Sequence, residues 1–184
     1  MKVKVTPIPG LILLEPDVFP DSRGYFFESY NREKYLSLGI TELFVQDNES
    51  LSFRGVIRGL HYQLEPAAQT KLVRVISGTV FDVAVDLRKN SPTFGHWYGV
   101  ELSGENKLQM LIPKGFAHGL SVLSPSALFA YKCDQLYNRT LERSIRFDDP
   151  ELDIDWKIPV ADRIVSEKDR SAPFFAKADK NFDF

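Results

Sequence analysis

Cysteine is nearly absent. Cys133 stands alone among 184 residues, so no disulfide can form within the chain. A fold that does without disulfides fits a reducing compartment, and a cytoplasmic location is expected. The run just before it, Leu128-Phe129-Ala130-Tyr131-Lys132, is of strand type, which points to a buried, inert thiol rather than a nucleophile. An excess of positive charge is also missing. Twenty-three Lys and Arg face 25 Asp and Glu, a net charge of −2. That argues against nucleic-acid or membrane partners, which need a broad basic surface, but leaves room for a few arginines around one small anion. No stretch approaches the ~18 consecutive apolar residues of a membrane span. The first residues, Met1-Lys2-Val3-Lys4-Val5-Thr6, alternate polar and apolar and lack the features of a signal peptide. No repeat, low-complexity tract or linker divides the chain, and its length suits one domain over 1–184.

Helix signals are scarce too. Asn31 is placed to cap a short helix through Leu38, ended by Gly39, and Ser166 to cap another near Glu167-Lys168-Asp169-Arg170. Strand signals fill most of the rest. Hydrophobic residues make up 43% of the chain and aromatics 12%, enough to build a packed core. Candidate strands run over 2–6, 11–15, 24–29, 42–52, 56–62, 71–77, 79–86, 96–102, 107–112, 118–123 and 127–133. Several alternate with period two, as in Val80-Phe81-Asp82-Val83-Ala84-Val85-Asp86. Gly78, Asn90-Ser91-Pro92 and Ser103-Gly104-Glu105-Asn106 are turn signals. Many short strands with little helix predict an all-β antiparallel sandwich or barrel, the class that contains the jelly rolls.

Five stretches carry chemistry-bearing side chains. In Arg58-Gly59-Leu60-His61-Tyr62-Gln63, a regular strand would turn Arg58 and His61 to opposite faces, whereas a bend near Gly59 would bring both to one cavity. Lys71 opens a strongly apolar strand, either as a gatekeeping charge at its end or as a cation for an enolate oxygen. Pro113-Lys114-Gly115-Phe116-Ala117-His118 is a fixed turn that delivers His118, as a cap or as a site residue. Tyr131, within an apolar strand, is either core with a bonded hydroxyl or a general acid. The run Ser166-Glu167-Lys168-Asp169-Arg170 alone reads as a solvated charge cluster.

Taken in order, these stretches resemble the dTDP-4-dehydrorhamnose 3,5-epimerase family, whose members have a cupin-type jelly-roll core. The likeness also includes Phe19-Pro20-Asp21-Ser22-Arg23-Gly24-Tyr25-Phe26-Phe27-Glu28, Phe44-Val45-Gln46-Asp47-Asn48 and Asp148-Asp149-Pro150, and it spans nearly the whole chain. The resemblance implies His61 as the base that removes a proton beside the ketone, Asp169 as its partner, Tyr131 as the acid on the other face, and Lys71 as the cation at the keto oxygen. It implies that Arg23, Arg58 and Lys168 hold the diphosphate or sugar, that Gln46, Asn48, His118 and Glu142 bind ligand, and that Tyr137 stacks on thymine. In the family, the segment bearing Arg23, Phe26 and Glu28 reaches the neighbouring subunit's site, so a homodimer is implied. Leu120 departs from the Phe expected after Gly119.

The chemistry needs these residue types. A ketone at C4 acidifies the hydrogens at C3 and C5, and a cation at its oxygen stabilises the enolate more than the ketone. Inversion requires a proton donor across the enolate plane from the base. No electrons leave the substrate, so no cofactor is expected. The rival reading is a metal-dependent cupin oxygenase. His118 matches that pattern, but His61-Tyr62-Gln63 lacks the second histidine and Lys71 stands where a ligand carboxylate belongs. No metal is therefore expected. The same residues would also suit a non-catalytic binding module for nucleotide sugars, an epimerase inverting C3 or C5 only, or a 3,4-ketoisomerase.

Overall fold

The computed structural model describes all 184 residues. Its strands are, in chain order, β1 (Lys2–Val5), β2 (Ile12–Glu15), β3 (Phe19–Asp21), β4 (Gly24–Phe26), β5 (Gln46–Phe53), β6 (Val56–Gln63), β7 (Lys71–Ser77), β8 (Thr79–Asp86), β9 (Trp97–Ser103), β10 (Gln109–Ile112), β11 (Phe116–Val122), β12 (Ser126–Cys133), β13 (Glu142–Ser144) and β14 (Ile164–Val165). The helices are α1 (Arg32–Ser37) and α2 (Glu167–Arg170), each capped as expected: Asn31 Oδ1 accepts from the Lys34 amide and Ser166 Oγ from that of Asp169.

One sheet has the order β1-β2-β10-β7-β12-β5 and the other β13-β6-β11-β8-β9, with β14 alongside β6. β14 runs parallel to β6 and the other pairs are antiparallel. The all-β, cupin-type sandwich is thus the architecture. The chain crosses between the sheets at Gly78, where φ is +80° and an added Cβ would stand 2.1 Å from the Ser126 carbonyl oxygen. No other residue type fits that turn.

Strand alternation builds three apolar layers. Val73, Met110 and Phe129 of the first sheet meet Val80, Ala84 and Leu120 of the second in the inter-sheet core. The outer face of the second sheet, with Ile57, Leu60 and Val83, is covered by Ile145, Trp156 and Phe175 from the C-terminal third. α1 lays Tyr35 over Leu14, Leu72 and Leu111 on the outer face of the first sheet. Trp156 is fully buried and donates its indole N–H to the Phe147 carbonyl at 2.6 Å. Truncating such a side chain to Ala costs about 3–5 kcal/mol.

The expected strands are present with shifted ends, and the 118–123 strand starts two residues earlier, at Phe116. The 42–52 strand begins at Gln46, 24–29 ends at Phe26, and 107–112 begins at Gln109 because Lys107 turns with φ +56°. β3, β13 and β14 are too short to show a period in sequence.

Candidate active site

β7 starts with Lys71, which shares its face with Val73 and Val75 of the inter-sheet core, while Leu72 faces α1. On β12, Tyr131 follows Ala127 and Phe129 into the same space and lies opposite Asn48 of β5. The first sheet thus sends Lys71, Tyr131 and Asn48 inward. The second sends His118 of β11 and, opposite it, His61 of β6. Between them lies a cavity of about 250 Å³ lined by Asn48, Arg58, His61, Lys71, His118 and Tyr131, among others.

Arg58 and His61 share this cavity because β6 slips against β11: His61 pairs with His118, but Arg58 pairs with Leu120, so three steps on one strand match two on the other. Gly59 lies at the slip with φ +133°, and a Cβ there would stand 2.5 Å from Gly119 Cα. The bend raised from sequence is therefore present, and Leu60 and Tyr62 pack into the outer core instead.

His61 Nε2 lies 2.6 Å from Asp169 Oδ1. The Ser166 cap starts α2 where its third residue, Asp169, points at the histidine, and Asp169 is 3% exposed. The charge run is thus not merely a solvated face. Burial alone would raise the Asp169 carboxyl, but the hydrogen bond and charge of His61, with donors at Ser166 and the Gly59 amide, hold it below the usual carboxylate range.

Lys71 has no carboxylate partner within ion-pair distance. Its Nζ lies 5.9 Å from the centroid of the Tyr131 ring. Desolvation lowers its pKa against the opposing charges of Cys133, Asp82 and Glu142. Burial raises the Tyr131 phenol, which keeps its proton until a strong base forms beside it. His118 does not cap a turn. Its Nε2 lies 2.9 and 3.0 Å from the two oxygens of buried Asp82. Asp82 escaped the reading for function, although the period-two pattern of its strand puts a carboxylate on the same face as Val80 and Ala84.

Four of the remaining expected binding residues, Lys168, Glu142, Tyr137 and Gln46, form a chain that ends at Asn48 of the cavity. Lys168 Nζ approaches Glu142 Oε2 at 2.7 Å, and the Tyr137 hydroxyl donates to the same oxygen at 3.0 Å. The Tyr137 amide donates to Gln46 Oε1, and Gln46 Nε2 to Asn48 Oδ1, both at 2.9 Å. Arg58 donates to Ser52 Oγ and forms no ion pair, so its guanidinium keeps donors for an anion. A second opening of about 430 Å³ adjoins Arg58, His61, Lys168 and Asp169. Three further expected residues line neither opening and take no part in this chain of contacts. Arg23 is bonded to Asp21 on the β3–β4 hairpin, Phe26 is 66% exposed, and Glu28 is held by Asn31 and Lys34 before α1. A further groove of about 340 Å³, on the outer face of the first sheet beside Leu72 and Arg74, includes neither His61 nor Lys71.

A base paired to a carboxylate, a protonated phenol and a lone ammonium around one cavity can move protons beside a carbonyl. Residues 5–177 match the family model for dTDP-4-dehydrorhamnose 3,5-epimerase. The chain belongs to this family. It is 56% identical over 180 residues to the dTDP-4-dehydrorhamnose 3,5-epimerase of Pseudomonas aeruginosa, covering 97% of this chain and 98% of the relative. The crystal structure of the Elizabethkingia anophelis NUHP1 enzyme of that name superposes with a TM-score of 0.91 at 56% identity, covering 96% of this chain and 97% of the other. That of a dTDP-6-deoxy-D-glucose-3,5-epimerase from Legionella pneumophila Philadelphia 1, in complex with dTDP-4-keto-L-rhamnose, has a TM-score of 0.93 at 51% identity, covering 97% and 94%. The protein is accordingly an isomerase, an epimerase of dTDP-linked sugars. No helix is long and apolar enough to cross a membrane.

Proposed function

We propose that this family member epimerises dTDP-4-dehydro-6-deoxy-D-glucose at C3 and C5, to dTDP-4-dehydro-L-rhamnose, using His61 as base and Tyr131 as acid. One observation supports this reading above the rest: the Asp169-bound imidazole and the phenol come from opposite sheets and open on one cavity, with Lys71 beside the phenol.

His61 takes the proton from the carbon beside the keto group, and Asp169 stabilises the imidazolium that results. Charge moves onto the keto oxygen, where the Lys71 ammonium meets it; the attraction is strongest in the transition state, so it lowers the barrier. Tyr131 then gives a proton to the other face, which inverts the carbon. His61 then releases its proton to solvent and Tyr131 regains one from it, and the same two transfers at the second carbon complete the reaction. Arg58 and Lys168 hold the diphosphate, whose two charges need local compensation. Thymine stacks on Tyr137, and Gln46, Asn48, His118 and Glu142 complete the binding surface.

Arg23, Phe26 and Glu28 have no part in their own chain's cavity but are displayed on its outside. They act in the site of a second copy, so the working unit is a homodimer, and the enzyme works in the cytoplasm on a soluble substrate.

Proton NMR in D₂O with dTDP-4-dehydro-6-deoxy-D-glucose tests the reaction. Deuterium is expected at both C3 and C5, with inversion of both. Exchange confined to one carbon would reduce the enzyme to a mono-epimerase.

A further inference from the structure

The inter-sheet core holds one carboxylate that the mechanism does not use. On β8, Val80 and Ala84 belong to that core, and Asp82 lies between them on the same face. Asp82 is fully buried. No Lys or Arg pairs with it, and its hydrogen bonds go to one group, the Nε2 of His118. Burial pushes its carboxyl up, against the charge and hydrogen bond of His118 and the charge of Lys71. A carboxylate in an apolar layer costs stability that an aliphatic side chain would not, which points to a use other than packing.

His118 connects that carboxylate to the cavity. Its ring stacks on Phe129 with centroids 6.0 Å apart and planes inclined by 21°. It lines the cavity alongside Lys71 and Tyr131. Nε2 is engaged by Asp82, and Nδ1 has no partner in the protein. Since no fully buried side-chain nitrogen or oxygen is left without a partner, Nδ1 keeps some exposed surface, and the cavity is the space that His118 lines. A carboxylate at Nε2 accepts the proton there, which leaves the Nδ1 lone pair for whatever fills the cavity.

We propose that Asp82 is a positioning residue of the active site, holding His118 by Nε2 so that Nδ1 accepts a hydrogen bond from a hydroxyl of the bound keto-sugar. This rests on the epimerase reading and extends it to a residue that touches no substrate. Asp169 and Asp82 then do parallel work on two facing histidines: one orients the base, the other the group that sets the sugar against it. A ring free to turn would leave the reacting carbon misaligned while the diphosphate contacts persist, so rate should suffer more than affinity.

The test compares Asp82→Asn, His118→Gln and the double variant with wild type. Asp82→Asn is expected to lower kcat about tenfold or more, with KM within roughly threefold of wild type. The double variant is expected to be no slower than His118→Gln, because Asp82 acts through His118. Full kcat in Asp82→Asn, or losses that add in the double variant, would overturn the proposal. Nitrogen NMR of labelled wild type is independent of how the variants fold, with the His118 signals assigned from those nearest the Asp82 β-strand amides. Protonated Nε2 and bare Nδ1 are expected, with the Nδ1 signal moving on addition of dTDP-glucose. The opposite tautomer, or an Nδ1 signal indifferent to dTDP-glucose, would also overturn it. Failure of the epimerase reading itself is seen separately, as wild type that leaves the C3 and C5 hydrogens of its substrate unexchanged.

Discussion

Asp169 Oδ1 lies 2.6 Å from His61 Nε2, joining residues 108 positions apart in the chain. Removing the carboxylate charge should leave the imidazole poorly oriented and its protonated form unsupported. Asp169→Asn is expected to slow solvent deuterium uptake into substrate by roughly 10²- to 10⁴-fold. His61→Ala should abolish uptake at both carbons. Normal turnover in His61→Ala would remove the base from the mechanism.

The same pair predicts a pH effect on stability. The folded Asp169 carboxyl is held below its ordinary range, so the unfolded chain binds the proton more tightly. Its contribution is complete above the ordinary carboxylate pKa of about 4 and is lost as pH falls through the folded value. Urea unfolding of wild type and Asp169→Asn across this acid range should therefore show a stability gap that narrows as pH drops. A gap that stays constant would mean that charge is not what Asp169 contributes.

Tyr131→Phe keeps the ring packing beside Phe129 and removes only the hydroxyl. Inversion should fall by about 10²- to 10⁴-fold, the usual worth of a positioned acid. Some exchange should persist, because the base lies on the other sheet. NMR in D₂O separates the two outcomes, and equal loss of exchange and inversion would argue that the phenol is not a one-face donor.

Lys71→Met should have opposite effects on activity and stability. The ammonium is desolvated with no carboxylate paired to it, and its pKa is lowered, so at neutral pH the unfolded chain holds its charge more readily than the folded one. Methionine of similar length should stabilise the protein by roughly 1–3 kcal/mol. Turnover should drop in kcat with little change in KM. A change in KM alone would make Lys71 a substrate-holding group.

Gly59→Ala tests the bend that unites Arg58 and His61. An added Cβ meets Gly119 Cα at 2.5 Å, and φ of +133° is a conformation other residues avoid. A loss of about 2 kcal/mol or more in stability is expected, with weakened activity in the folded fraction. Thermal melts beside kcat measurements check both.

Much of this was legible in the residues. The period-two pattern over 80–86 and the strand-type run over 127–133 located two interior strands, and Asn31 and Ser166 marked the starts of both helices. Local steric and hydrogen-bonding preferences act over a few residues, so they show in a linear text. Short strands such as β13 and β14 did not show, because pairing with β6, not their own pattern, makes them strands.

The sequence alone determined that the chain would build an all-β sandwich or barrel, and the order of its motifs pointed to the family and the residues to watch. Only the tertiary structure decided that Arg58 and His61 share a face, that Asp169 of a charge run is buried against His61, and that Asp82 stands behind His118. Those three relations depend on a register slip and on contacts between segments distant in the chain. Such contacts are set by packing, and packing leaves no local period to read.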